Sequence, residues 1–448
     1  MQYLIKRALS VAIISALAVP TLSLATNGLA LPGYGAKSVG MGGTSIALQM
    51  DSLAGAVNPA TISGMATRFD IGAGFFSPPR RAYVDAEDDP IFGSSIAESR
   101  SRKDLFLIPN LGFVMPINNE LTFGINAIGA GLGVEYQDGI YDFKNTGKPI
   151  SMMLIQMQIP VTLAYKVDNN TAVAASAVMA AQMFENKGFD SFSPVTSDIN
   201  NYTDRGHNYS FGAGVRIGAL YTTDDKIFSV GGYYHSRVYM TKFDKYRGLF
   251  AEQGDLDIPA NFGVGIAYKI TPAVTTALDV MRYQWSSVAA MGNKGPELYT
   301  GNPIGSAAAG GAGQIGNDDG MGFGWEDQTV FKLGFSYNYS SDTTFTTGIN
   351  YGKTPIPQDQ LAFGVIGPAV TEKHLAFGVQ HSLQGFTLFG AKEAEVSLSY
   401  LHGFKNKMSG YSPLGHHTDA NGNNVAFAGY TEFEMIQNQL EISYGLKF

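Results

Sequence analysis

The residues of this chain that could do chemistry are few and scattered. Gly311, Gly313 and Gly316 fall on the spacing G-x-G-x-x-G, the pattern that lets backbone N–H groups approach a pyrophosphate. That chemistry needs a strand before the first glycine and a helix after the last. The flanking stretch Ser287–Gly324, rich in Gly and Ala, reads as neither. Gly35-Ala36-Lys37-Ser38 lacks the first glycine of a phosphate-binding loop, and no G-x-S-x-G or H-E-x-x-H occurs. His416, His417 and Asp419 could ligate a metal and Asp318-Asp319 a calcium ion, but solvated loop positions account for both groups. There is no cysteine, so disulfides and thiolate metal sites are excluded. The sequence points to no enzyme, no cofactor and no resident metal.

Composition says what the chain is instead. Of 448 residues 45% are hydrophobic and 15% charged, against roughly 25% charged in soluble domains. Aromatics make up 12% and there are 54 glycines, a mix that suits aromatic girdles and many turns. The formal net charge of −8 argues against a nucleic-acid partner, which needs a basic face. Residues 1–25 read as a secretory signal peptide: Lys6 and Arg7, an apolar run Ala8–Val19, and Ser23-Leu24-Ala25 as a cleavage site. That apolar run is too short to span a membrane comfortably as a helix.

From Arg68 onward the chain alternates apolar and polar residues. At the end, Leu440, Ile442, Tyr444, Leu446 and Phe448 point one way, and Gln439, Glu441, Ser443, Gly445 and Lys447 the other. This is period 2, with one face for lipid and one for a polar lumen. Phe211, Val215 and Ile217 oppose Ser210, Gly214 and Arg216 in the same way. Strands are expected at 68–77, 105–116, 121–135, 151–167, 171–186, 208–222, 227–240, 256–269, 273–286, 325–340, 343–353, 371–383, 393–405 and 430–448. Fourteen is an even number, and the connectors alternate long and short, the pattern of an outer-membrane barrel. The expected fold is all-β: a 14-stranded antiparallel transmembrane β-barrel over residues 67–448, in the bacterial outer membrane.

Residues 26–66 fit no strand. Their small, Gly-rich sequence has no sustained period of 2 and no long helical stripe, so they would order most easily inside the barrel, as a hatch or plug. Asn58-Pro59-Ala60 is a candidate anchor for it. Gly129, Gly131 and Gly133 lie inside the third strand, where glycines mark a bulge or bend. They could make room for the hatch to approach, or a kink there could open the wall sideways, beside the hatch around Asn58–Ala60. Two long loops carry Phe189, Phe192 and Tyr202, and Phe243, Tyr246 and Phe250. Exposed on outer loops, these would form a landing surface for a hydrophobic ligand; packed on one another, they would instead order the loops. Lys242, Lys245 and Arg247 beside them could attract a carboxylate or lipopolysaccharide phosphate.

These residues carry a resemblance. Thr26-Asn27-Gly28, Gly33-Tyr34-Gly35, Gly40-Met41-Gly42-Gly43 and Asn58-Pro59-Ala60 are similar to the hatch of the FadL/OmpP1/TodX family. Trp325-Glu326-Asp327-Gln328 leading to Lys332-Leu333-Gly334, and Asn350-Tyr351-Gly352 followed by Pro355-Ile356-Pro357, are similar to later parts of that family, as is the terminal strand. The resemblance implies a monomeric, passive outer-membrane transporter of hydrophobic small molecules, either long-chain fatty acids or aromatic hydrocarbons. It also implies lateral exit through a kink in the third strand. Similarity to outer-membrane proteins makes Tyr444, Leu446 and Phe448 a signal for the barrel assembly machinery. The family's fatty-acid carriers place an arginine late in the fifth strand. Here Val178–Met183 contains none, which turns the expectation toward a neutral ligand. The competing function is a structural or adhesive barrel acting through its outer loops.

Overall fold

The computed structural model describes residues 27–89, 92–295, 313–383, 389–412, 416–418, 424–426 and 429–448. The expected leader, Gly311 and Asp419 lie outside the described residues, as do the side chains of His416 and His417.

Period-2 patterning over long segments leaves each strand half apolar, and such strands bury their backbone polar groups only by closing on one another. Fourteen strands do so. In chain order they are β1 (Arg68–Ser77), β2 (Phe106–Pro116), β3 (Leu121–Tyr136), β4 (Ile150–Lys166), β5 (Thr171–Lys187), β6 (Asn208–Thr222) and β7 (Phe228–His235). The ring continues with β8 (Asn261–Thr271), β9 (Val274–Tyr283), β10 (Gln328–Asn338), β11 (Thr343–Gly352), β12 (Lys373–Leu383), β13 (Glu393–Ser412) and β14 (Gly429–Lys447). Each pairs antiparallel with the next, and β14 closes on β1 from Arg68 opposite Lys447 to Ser77 opposite Asn438. Among the described residues no helix is long and apolar enough to cross a membrane.

Alternation works as the sequence requires. On β14, Gln437, Gln439, Glu441 and Ser443 are buried in the lumen while Leu440 and Ile442 face outward. The loops between β1 and β2, β3 and β4, β5 and β6, and β9 and β10 are long. The turns after β2, β4, β6 and β8 are short and held by side chains such as Asp168, whose carboxylate accepts from the N–H groups of Asn170 and Thr171.

Three expected segments differ in extent. β13 runs on to Ser412, because its upper half pairs with β14 well above the rest of the ring. β7 stops at His235 and resumes as a short bridge at Tyr239–Met240, one residue out of register against β6. β8 begins at Asn261, since Pro259 offers no N–H for a ladder there. An extra hairpin, Arg80–Asp89 with Gly93–Arg100, leaves the top of β1 and pairs with the upper edge of β14.

Residues 27–66 are almost wholly buried against lumen-facing side chains of the ring. They form one short helix, Gly35–Gly40, and two 3-10 turns, Ser52–Ala56 and Pro59–Ile62. Gly42 and Gly43 both have positive φ, 69° and 90°. This tight reversal is open to glycine and lets the backbone lie against β11, where a Cβ on Gly348 would overlap Met41.

Candidate functional site

Buried backbone that forms no regular ladder must find partners, and here the barrel's polar lumen supplies them. Asp279 on β9 accepts from the N–H groups of Ser45 and Ile46 at 2.7 and 3.1 Å. Lys332 on β10 donates to the Pro32 carbonyl at 2.7 Å. Asp70 on β1 accepts from the Ser52 N–H at 3.0 Å, and Asn126 on β3 donates to the Ser52 carbonyl at 2.9 Å. Lys37 pairs with Glu395, which Arg68 also meets at 3.2 Å. The Gly35–Ser38 stretch is therefore a helix tied to the wall: its Ala36 N–H donates to the Ser443 hydroxyl at 2.9 Å.

Asn58 is fully buried and acts in both directions. Its Oδ1 accepts from the Ala60 N–H at 3.1 Å, capping the Pro59–Ile62 turn. Its Nδ2 donates to the Ile46 carbonyl at 2.7 Å and to the Ala219 carbonyl of β6 at 3.0 Å. A Cβ on Gly218 or Gly231 would crowd it, so bare glycines on β6 and β7 make its room. The Asn58-Pro59-Ala60 turn thus packs on β4, β5 and β6, with Asn58 also against Gly231 of β7, and none of it is among the nearest neighbours of Gly129 or Gly131. Residues of this segment that meet β3 include Ser52, against Asn126, Ile62, against Gly124, and Gly64, whose N–H donates to the Thr122 hydroxyl at 3.0 Å.

Above this segment lies a cavity of about 60 Å³. Its floor is Leu29, Ala30, Tyr34 and Val57, and Met281, Trp285 and Met291 are among its apolar lining. Trp285 stacks on Tyr283, with ring centroids 5.3 Å apart, and meets Trp325 edge-on at 5.7 Å. Polar groups enter at one side: Gln156 and Gln158 of β4, Arg216 of β6 and His235 of β7. Arg216 donates to the Ala56 carbonyl and, at 2.5 Å, to Gln158 Oε1. His235 Nε2 meets the Val57 carbonyl at 2.7 Å. Arg216 is buried, and none of the described ion pairs includes it. A guanidinium with no carboxylate partner among the described residues can receive an acidic group beside this mostly apolar lining.

The sequence reading missed Arg216 as a cavity residue. The signal was present, because alternation along β6 places it on the lumen face. Only the ladder, which sets Arg216 opposite Ser176 of β5 and His235 of β7, brings it beside the cavity.

β3 is continuous, and its register against β4 is constant from Leu121 opposite Tyr165 to Tyr136 opposite Ile150. Gly129, Gly131 and Gly133 do not break it, and none has positive φ. The irregularity is on its other edge. The ladder to β2 ends at Asn110 opposite Ile128. Pairing returns on that edge only at Ser101 opposite Tyr136, with the Arg102 N–H on the Glu135 carbonyl at 2.9 Å. Between these points Gly129–Val134 has no strand partner on that side, roughly 20 Å of edge at ~3.3 Å per residue. Over the same residues alternation stops and Ile128–Val134 are all buried. Gly129 has ordinary room toward Ile108, whereas a Cβ on Gly131 would overlap the Leu154 carbonyl of β4. Gly131 is therefore required by close backbone approach. In place of the expected kink in β3, the structure has a parting of β3 from β2.

The loop aromatics pack on one another rather than face solvent. Phe189, Phe192, Tyr202, Phe243, Tyr246 and Phe250 are each 5% exposed or less. Phe184 of β5 anchors one group, 4.8 Å from Tyr246 and 4.7 Å from Phe250 between ring centroids. Phe192 anchors another, with Phe92, Tyr141 and Phe189 around it. Long loops pay conformational entropy to become ordered, and burying their own aromatics is what offsets it. Burial pushes the Tyr202 and Tyr246 hydroxyls up to about 12. The neighbouring cations are engaged as well: Lys245 donates to the His207 carbonyl at 2.9 Å and Arg247 pairs with Asp198 at 2.5 Å. Asp318 accepts from Gln253 at 2.7 Å. Tyr444, Leu446 and Phe448 lie on the outer side of β14, with Leu446 packed on Ala391 and Ala394, and the Phe448 N–H donates to the Thr67 carbonyl at 2.9 Å.

The architecture has known counterparts. The family model described as outer membrane protein transport protein (OMPP1/FadL/TodX) matches residues 16–365. A long-chain fatty acid transport protein of Escherichia coli O6:H1 is 24% identical over 402 residues, covering 79% of this chain and 81% of its own. The crystal structure of the toluene transporter TodX of Pseudomonas putida superposes with a TM-score of 0.61 at 18% identity, over 94% of this chain and 99% of that one. A FadL homologue of Pseudomonas aeruginosa gives 0.62 at 14% identity, over 96% and 99%. The fourteen-stranded closed ring and the family match agree: the chain belongs to the OMPP1/FadL/TodX family of outer-membrane proteins that transport hydrophobic compounds.

Proposed function

We propose that this barrel takes up amphipathic long-chain acids, holds them in the cavity above residues 27–66, and releases them sideways between β2 and β3. The observation that carries the substrate class is Arg216: a buried guanidinium with no carboxylate partner among the described residues, beside a mostly apolar cavity. A neutral hydrocarbon would leave that charge unused, and a carboxylate would pair with it. Residues 27–66 act as the hatch, tied to the wall by Asp279, Lys332, Asp70 and Asn58, so that ligand does not fall through to the periplasm. Each buried CH₂ is worth about 0.8 kcal/mol, so a long chain loses least by moving from an apolar cavity straight into lipid. The parting of β3 from β2 gives the ring an interrupted ladder at which this can occur, and Ala130 of the parted stretch lines the cavity.

Two measurements test this reading. Uptake of oleate and toluene is compared in cells lacking other carriers; preference for toluene would overturn the acid assignment. For the route, Ile108→Cys with Gly129→Cys places a disulfide across the parting, where a Cβ on Gly129 would stand 3.4 Å from Ile108. Oxidation should stop uptake and reduction restore it. Uptake unaffected by a fully formed bridge would exclude the lateral route.

A further inference from the structure

Arg80 is the first residue of the extra hairpin above β1, and its side chain is turned inward and only 3% exposed. Its Nη1 donates to the carbonyl of Gly133, in the stretch of β3 that has left β2. Its Nε meets the Met435 sulfur at 3.3 Å, and its Nη2 is buried with no hydrogen-bond partner. None of the described ion pairs includes it. Burying a guanidinium without a carboxylate is costly, and an apolar residue of similar size fills such a place more stably. Yet the bond lands where the ladder to β2 is missing. On that edge of β3, between Ile128 and Tyr136, Arg80 supplies a hydrogen bond that a neighbouring strand would otherwise have made.

We propose that Arg80 is a latch on the window between β2 and β3, and that the acidic head of a passing amphiphile releases it. This rests on the lateral-exit reading above. While the guanidinium holds the Gly133 carbonyl, β3 stays drawn toward the base of the hairpin, and Phe76, Phe106 and Ile108 pack together beside the window, Ile108 next to Gly129. Gly133 is three residues along β3 from Ala130, which lines the cavity. A carboxylate moving along this path meets a cation with one free N–H already buried. Charge-assisted hydrogen bonds are roughly twice as strong as bonds to a neutral carbonyl. The carboxylate therefore takes the guanidinium, Gly133 is freed, and the unpaired edge of β3 moves away. Neutral molecules of the same length have no such hold on the latch.

The chain has no cysteine, so a single Val134→Cys in the buried stretch reports opening through its rate of maleimide labelling in purified, folded protein. Arg80→Met in that background should raise the rate about tenfold, the effect of losing one hydrogen bond to a charged group. With Arg80 intact, oleate should accelerate labelling and oleyl alcohol should not. Equal rates with and without Arg80, or equal acceleration by acid and alcohol, would overturn the latch. The second comparison needs no change at Arg80 and so stands even if Arg80→Met folds poorly. Failure here leaves the cysteine-bridge uptake result untouched, so the latch and the lateral route are judged separately.

Discussion

Replacing Arg216 by methionine keeps most of the side chain's volume and removes its charge. At ~4 Å and an effective dielectric of ~20, a guanidinium and a carboxylate attract by about 4 kcal/mol. Part of this is lost in taking the carboxylate from water, leaving roughly 1.5–3 kcal/mol for a hydrogen bond to a charged group. Binding of oleate, followed by calorimetry in detergent or nanodiscs, should weaken about 10- to 150-fold. Oleyl alcohol and toluene should change by less than about threefold. Arg216 also donates to Ala56 and Gln158, so the variant must first show the heat-modifiable folded form. Arg216→Lys keeps the charge and should recover part of the oleate affinity. Unchanged oleate binding in folded Arg216→Met, or an equal loss for acid and alcohol, would refute the pairing and return the cavity to a neutral ligand.

Deleting residues 27–66 should raise planar-bilayer conductance well above that of the intact chain; equal conductance would mean the segment does not plug the lumen. Removing Phe448, whose N–H closes on Thr67, should sharply lower the yield of folded barrel in cells, and normal yield would dismiss it as an assembly signal. Burial and then the Asp257 carboxylate push Asp255 up to about 6, above its ordinary value. The folded loop therefore holds this proton more tightly than the unfolded chain, and its stability is greatest below about pH 4 and declines toward about pH 6. Allowing for solvent screening, the decline is about 1 kcal/mol. Amide-exchange protection across residues 241–260, corrected for intrinsic rates, should follow that curve and become flat in Asp255→Asn.

The barrel was legible in the sequence because period 2 is local. Leu440 or Gln439 declares its face without knowledge of its neighbours, and a full set of such segments with alternating connectors leaves closure as the way to satisfy their backbones. The small, aperiodic character of residues 26–66 was equally local. What converges across the ring is not. Alternation puts Arg216 in the lumen, but only the ladders of β5, β6 and β7 set it beside His235 and the Ala56 carbonyl. The same ladders place Asn58 on β6, away from β3. The glycines of β3 suggested a bend, yet the parting depends on where pairing with β2 ends, which is a property of two strands. Phe189 and Phe243 read as either an exposed surface or loops packed on themselves. Their burial follows from packing between loops far apart in sequence, which residue type alone does not encode.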